Sequence, residues 1–475
     1  MFQKILIYFF LFLSLSLPAQ VNISFFNYDI PQSNFLNPAN IPSCKLIIGI
    51  PFINGAGVYA YHNGFVFNDL FERSGNSYSL TTNSINNTLN KTAGRNYFLA
   101  GAEISDLFIG YKYNNVYFNI SVRERVMSGL FYNKDLLRLG LEGNTSFEGE
   151  TASLQGTGLL FNYFRQYSFG VAVNKYDYFK WGTHLNLLFG KANTSTLIKN
   201  TGLFTNEETF ALSLDARGGF NASLPYVLLY NANGDLSSED RSEGIVPFLL
   251  EKQNKGISVD AGFIYEYSPS VTLHGSITDL GFIRYRKNTS VFRATGEFNY
   301  NGPDENDVFE QTYLRELINT LDDSIDVSLS DEKYTFYLPP DLYAGIRYND
   351  GSIISYEVLY HSVLFRNKFK QSVTLQSDIE LGKHVDAMIS WSLAHRTLKN
   401  AGVGLSFDFY PVNLYIISDN IMGFIWPRST KNVNLQFGLN LKFGCHEKVS
   451  EEGCNCSWIK APKSYQKLLD KSRTR

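Results

Sequence analysis

The chain has 475 residues, a formal net charge of −3, 18% charged and 15% aromatic residues. So small a charge imbalance gives no support for binding nucleic acid or any strongly charged partner. Four cysteines in an exported chain permit three disulfide connectivities. Thirty tyrosines and 38 phenylalanines against four tryptophans and four methionines form an aromatic-rich profile suited to interfacial girdles.

The first 19 residues read as an export signal. Lys4 supplies the positive start, Ile5 to Leu17 the apolar stretch, and Leu17-Pro18-Ala19 the small-residue end, with cleavage expected after Ala19. Gln20 rather than cysteine follows, which excludes a lipoprotein. Beyond Ala19 no run approaches the ~18 apolar residues of a spanning helix. A bilayer-embedded chain without such helices must close into a barrel, because every backbone amide needs a partner.

Residues 20–44 form an N-terminal segment. In Asn37-Pro38-Ala39 the proline pushes Asn37 into an extended conformation, and the asparagine side chain can close a local turn. The block is an entry bend. The segment either sits in the lumen as a small plug or hangs as a periplasmic tail.

Residues 45–444 carry repeated period-two alternation, the signature of strands with two different environments. Phe118, Ile120 and Val122 oppose Asn119, Ser121 and Arg123, while Leu185, Leu187 and Phe189 oppose His184 and Asn186. Val259, Ala261 and Phe263 oppose Asp260 and Gly262, with Glu266 further along the polar face. Tyr356 and Val358 oppose Glu357; Val373, Leu375, Ile379 and Leu381 oppose Asp378 and Glu380; Val385, Ala387 and Ile389 oppose Asp386. The last strand alternates without an error from Asn434 to Phe443. Such segments number roughly 12 to 16, with an even count near ~14, more than one soluble sandwich holds. The fold expected is all-β, a transmembrane antiparallel barrel. Its polar face makes Asp260, Glu266, Glu357, Asp378, Glu380 and Asp386 the candidate lumen lining.

Asn349-Asp350-Gly351 and Tyr410-Pro411 read as short periplasmic turns. Between 301 and 333, ten acids face two bases, and Phe309, Tyr313, Leu317 and Leu321 recur at helical spacing. That segment is an extracellular loop with a short amphipathic helix, either plainly solvated or a lid for a cation or substrate.

The tail, residues 445–475, holds Cys445, Cys454 and Cys456; the remaining cysteine is Cys44. First and last strands are neighbours in a closed barrel, so a Cys44–Cys445 bridge would staple the seam. Cys445, His446, Cys454 and Cys456 match no standard zinc spacing. The basic end of the tail is either a docking element or a frayed, soluble end. None of the seven histidines sits in a mechanistic motif, and His274 and Asp279, five apart, belong to opposite strand faces. No enzyme and no cofactor are expected.

Several blocks resemble an uncharacterised family of Bacteroidota outer-membrane barrels catalogued as domain of unknown function 5723. They are Asn37-Pro38-Ala39 with Ile48-Gly49-Ile50-Pro51, residues 162–170 around Arg165, Thr278-Asp279-Leu280-Gly281 through Tyr285, Leu338-Pro339-Pro340, residues 415–420, and the closing 437–444. More distantly, the entry block is similar to that of fatty-acid-transport-type barrels and of the type IX secretion shuttle barrel. The resemblance implies a cell outer-membrane location. The function expected is passage of a small solute, hydrophobic ones included. The alternative is a scaffold or shuttle barrel for a periplasmic or surface protein partner. Fold alone does not decide between them.

Overall fold

Fourteen antiparallel strands close on themselves in the computed structural model, which describes residues 22–445 apart from 177, 199–200, 231–235, 241–243, 302–324 and 366–367. The export signal, most of the acidic loop with its expected helix, and the tail beyond Cys445 lie outside the described residues.

Strand β1 runs in two halves, Cys44–Gly49 and Ala56–His62. It is followed by β2 (Arg95–Tyr113), β3 (Val116–Asn133), β4 (Gly158–Tyr176), β5 (Phe179–Ile198), β6 (Lys255–Ser268) and β7 (Val271–Tyr285). The second half comprises β8 (Asp341–Tyr348), β9 (Ile354–Phe365), β10 (Lys368–Glu380), β11 (Val385–Ala394), β12 (Thr397–Phe409), β13 (Val412–Ser418) and β14 (Asn432–Cys445). Each pairs with the next, and β14 returns to both halves of β1. At this seam Cys44 faces Cys445 and the two are joined by a disulfide across a sequence separation of 401. Asn349-Asp350-Gly351 and Tyr410-Pro411 lie in turns at this same disulfide end. The long connections lie at the other end, where strands Leu212–Ser223, Thr289–Tyr300 and Ile325–Ser330 extend the wall beyond β5.

Alternation decides which side each residue faces. Ile120, Leu187, Val358, Leu375, Ile389 and Phe437 are 41–54% exposed on the outer surface. Their sequence neighbours Asn119, Asn186, Glu357, Gln376 and Ser390 are 4% exposed or less, turned into the lumen. Glu124 and Arg165 interrupt the apolar outer face, but they are cross-strand partners and form an ion pair.

Residues 22–43 lie inside the barrel. Two 3-10 turns, Asn22–Ser24 and Pro31–Phe35, are tied together by asparagine side chains. Asn27 Oδ1 accepts from the N–H groups of Asp29 and Ile30, and Asn37 Oδ1 from that of Ala39. Asn34 Nδ2 donates to the carbonyls of Pro38 and Asn40; Asn40 Nδ2 donates to those of Phe25 and Ser33. The apolar side chains of the segment fill lumen niches. Phe25 and Phe26 pack on Tyr343 and Leu359, and Ile23 and Ile30 pack on Met388, Tyr415 and Ile417.

A glycine pair makes room for the entry bend. Gly182 of β5 faces Gly262 of β6. A Cβ at Gly182 would lie 2.2 Å from the Pro38 carbonyl oxygen, and one at Gly262 2.1 Å from Asn37 Oδ1. No side chain fits either place while the bend is seated.

The outer face carries the first prediction. Ile120→Arg, five residues into β3 on its outward face, is expected to cost about 1–3 kcal/mol in vesicle-embedded protein, with Ile120→Leu near neutral. Reversible urea unfolding followed by tryptophan fluorescence measures both. Equal stability of the two variants would contradict a lipid-facing position.

Candidate functional site

The lumen divides into a seated segment towards the disulfide end and a chamber towards the loops. Three strands bring the first parts of a buried ionic belt between them. On β3, Arg123 and Arg125 share one inward face, and Glu103 reaches them from β2. Arg125 donates to Glu103 at 2.8 Å and bidentately to both carboxylate oxygens of Asp279 at 2.6 and 2.7 Å. Arg123 approaches Glu103 at 3.5 Å and lays its guanidinium 4.2 Å from the Phe35 ring of the inner segment.

Asp279 reaches this belt through a bulge. Val259 faces Leu280 and Ala261 faces Ile277, so Thr278 and Asp279 together oppose Asp260. Asp279 takes a φ of 60°, and its N–H donates to Asp260 Oδ1 at 2.8 Å. The expectation that His274 and Asp279 face opposite sides is therefore overturned. Both are buried in the lumen, because one extra residue resets the period-two count. His274 Nε2 lies 3.2 Å from the Tyr28 hydroxyl.

Histidines that looked isolated along the chain gain carboxylates in space. His184 Nδ1 is 3.2 Å from Asp260, and His361 Nε2 is 2.7 Å from Asp341. Each pair joins neighbouring strands, a proximity that linear spacing does not reveal.

The candidate lumen residues sort into separate groups. Asp260 is 1% exposed at the centre of the belt. Glu357 and Asp378 are buried near Arg347, with Arg347 Nε 3.4 Å from Glu357. Asp386 is buried beside Asp29 and Asp408, their ligand oxygens within 4.8 Å of one another. Lys442 Nζ binds Asp408 at 2.8 Å and the Asp29 carbonyl at 2.6 Å, so its ammonium competes with any cation for that oxygen set. Glu266 is half-buried and pairs with Lys180 at 3.4 Å, and Glu380 is exposed at the strand end. Of the entry block, Asn37 and Ala39 are fully buried, and Asn37 Nδ2 reaches the Phe263 carbonyl at 3.3 Å.

The chamber lies over the belt. Tyr59, Tyr61, Tyr97, Leu99, Met127, Phe164 and Phe365 line it, with Glu103, Arg125, Asp279 and Asp341 at one side. Tyr61 stacks between Tyr59 and His395, at ring separations of 5.2 and 4.3 Å. Lys370 Nζ sits 3.4 Å from the Tyr97 ring centre and 4.7 Å from that of Phe365. Among the described residues, three cavities of the lumen measure about 40, 40 and 60 Å³, room for a few waters each.

At the chamber side, the N–H groups of Asn22 and Ile23 donate to the Asp419 carboxylate at 2.8 and 2.9 Å. Burial raises the Asp419 carboxyl to about 6, against the hydrogen bonds that favour its ionised form. The lumen wall holds the segment elsewhere too. Gln376 Nε2 donates to the Ile23 carbonyl, Arg347 to that of Phe26, and Ser276 to that of Leu36. Gln32 and Asn440 exchange hydrogen bonds of 2.9 and 3.2 Å.

Removing the cation at the centre of the belt tests its weight. Arg125→Leu leaves Glu103 and Asp279 without their main partner and is expected to destabilise the barrel by about 3–5 kcal/mol. Arg125→Lys keeps the charge but loses the bidentate fork, and should fall between. Urea midpoints of the two variants decide the order.

Comparisons place the chain among known proteins. The model of a family described as a family of unknown function (DUF5723) matches residues 38–419. No curated protein matches the chain. Among solved structures, the toluene transporter TbuX of Ralstonia pickettii is similar at 10% identity, over 86% of this chain and 93% of its own, with a TM-score of 0.40. The toluene transporter TodX of P. putida is similar at 9% identity over 86% and 93%, with a TM-score of 0.38. A Pseudomonas aeruginosa FadL homologue is similar at 9% identity over 90% and 97%, with a TM-score of 0.39.

Proposed function

The chain belongs to the family of unknown function DUF5723, and on that premise we propose that it passes a small apolar solute across the outer membrane, with residues 22–43 as the plug that gates the lumen. The observation that carries this reading is the aromatic chamber, bounded by Tyr59, Tyr61, Tyr97, Met127, Phe164 and Phe365, set against the inner segment. A solid structural lumen needs only paired polar groups. A cluster of rings around a cavity favours a guest that leaves water by burying apolar surface.

Passage requires the plug to shift. Cavities of 40–60 Å³ hold water but no organic solute, so the closed form is a resting state in this reading. The segment is suited to moving. Much of its grip is hydrogen bonds to side chains of the wall, each worth about 0.5–1.5 kcal/mol net, and water can replace them one at a time. Toluene is what the printed names of TbuX and TodX give as their cargo. Monoaromatic hydrocarbons therefore head the list of solutes to try.

The test uses the folded barrel in planar bilayers. A Gly182→Ala, Gly262→Ala double variant pushes on the Asn37-Pro38 bend without altering the chamber. Conductance is expected to rise at least about tenfold over the parent, the effect of losing ~1.4 kcal/mol of plug contacts. A Gln32→Cys, Asn440→Cys variant, cross-linked where those side chains meet, should be silent and should recover on cleavage of the link. A folded barrel that is silent in every form, and takes up no toluene into vesicles, would overturn the reading.

A further inference from the structure

One row of cross-strand partners on the outer wall collects four charges. Glu124 on β3 faces Arg165 on β4, Arg165 faces Phe189 on β5, Phe189 faces Lys255 on β6, and Lys255 faces Arg284 on β7. Alternation with the exposed Ile120, Phe169, Leu187, Ile257 and Phe282 puts all five on the outward face. Glu124 and Arg165 neutralise each other as an ion pair. Lys255 and Arg284 do not. They are like charges set directly opposite one another, an arrangement that destabilises a sheet.

No neighbour compensates. Among the described residues neither cation has a carboxylate partner. Arg284 Nη1 donates to Thr335 Oγ1 at 2.7 Å, on the adjoining strand Tyr334–Tyr337, which occupies one of its five N–H donors. Glu251, four residues before Lys255, is engaged on both oxygens, by Lys287 and by the N–H groups of Lys252 and Gln253. Arg286, exposed just beyond β7, adds a third cation that forms no ion pair among the described residues.

Strand length gives the height of this pair in the bilayer. Lys255 opens β6, and Arg284 is the last residue but one of β7. The turn that joins the two strands lies at the disulfide end, because Val271 faces Tyr348 beside the Asn349-Asp350-Gly351 turn. A strand tilted by ~40° climbs ~2.5 Å per residue, so the 14 residues of β6 rise about 35 Å, past an apolar band of ~25 Å. Below the pair the same face is apolar. Ile257, Val259, Phe263, Leu280 and Phe282 are 40–56% exposed there. Tyr337, its ring 6.3 Å from that of Phe282, belongs to the aromatic girdle at the upper edge. The cations therefore stand just beyond the hydrocarbon on the loop side, at the level of lipid headgroups.

We propose that Lys255, Arg284 and Arg286 hold the phosphate of an anionic lipid in the loop-side leaflet. Such a lipid brings its phosphate to this height with its chains against Ile257, Leu280 and Phe282, so one molecule answers both the charge and the apolar surface beneath it. A soluble phosphate answers the charge alone. Seated between Lys255 and Arg284, a phosphate turns their mutual repulsion into two charge-assisted contacts, and the Arg284 fork takes two of its oxygens. The site lies outside the lumen and does not depend on passage through it.

Native mass spectrometry of the full-length folded barrel in a neutral detergent counts the lipids that stay bound. Dioleoyl phosphatidic acid is expected to be retained in preference to dioleoyl phosphatidylcholine. Lys255→Gln and Arg284→Gln should each weaken phosphatidic acid binding by about fivefold, the scale of one cation beside an anionic headgroup. Lys383→Gln removes the same charge at an exposed turn of the disulfide end and should leave binding unchanged. An equal loss in Lys383→Gln overturns the site in favour of general surface charge. Displacement of the lipid by an equimolar amount of inorganic phosphate overturns it in favour of a soluble anion. A parent barrel that retains both lipids equally also overturns it, and that comparison stands even if a variant fails to fold.

Discussion

Every strand edge placed in hydrocarbon must find a partner, because no water is there to bond its N–H and C=O groups. Here the last edge is closed by β14 returning to β1, with Cys44 opposite Cys445 at the end of that seam. The rest of the architecture follows from this closure. Once the wall is continuous and its outer face apolar, alternation turns the polar half of each strand into an enclosed lumen. Polar groups enclosed there need partners in turn. Neighbouring strands supply some of them, as in the pairs His184–Asp260 and His361–Asp341. The others come from residues 22–43.

That segment is built for the place. Five asparagines, at 22, 27, 34, 37 and 40, give it both its internal turns and its contacts with the wall. An asparagine amide both donates and accepts, so it can satisfy a backbone carbonyl on one side and a lumen side chain on the other. Phe25, Phe26, Ile23 and Ile30 add apolar weight where the lumen is locally apolar. The result is a body that is mostly buried yet held in large part by groups that water could serve as well. This is the physical ground for reading it as a gate rather than a permanent core.

The ionic belt links the two halves of the lumen. Asp260 receives His184, next to the segment, on one oxygen and the Asp279 N–H on the other; Asp279 then clamps Arg125 beneath the aromatic chamber. The chain of contacts depends on a single bulge. Without the extra residue opposite Asp260, Asp279 would point outward into the apolar face and Arg125 would lack its main partner. A buried pair of this kind adds little net stability but specifies one arrangement, since removing either partner leaves an unpaired charge.

Much of the wall was legible along the chain. Strict alternation around Asn119, Asn186, Glu357, Asp378 and Asn440 assigned each of them to the polar face, and all are buried in the lumen. The strand count near 14 and the proximity of the chain's two cysteine-bearing strand ends were likewise open to reading, because period and order are local or topological properties. What the sequence could not settle was the company each lumen residue keeps. Whether Asp260 would meet Glu266 or His184, and whether Asp279 would face in or out, depended on registers between strands and on one bulge. Those are decided only when the sheet closes and the inner segment is seated, since a one-residue change in count sends a side chain to the other face of the wall. The sequence by itself determined a barrel with a polar interior. Tertiary structure alone decided that the interior holds a seated segment, a belt of paired charges and an aromatic chamber, because each is made of residues that meet only across the lumen.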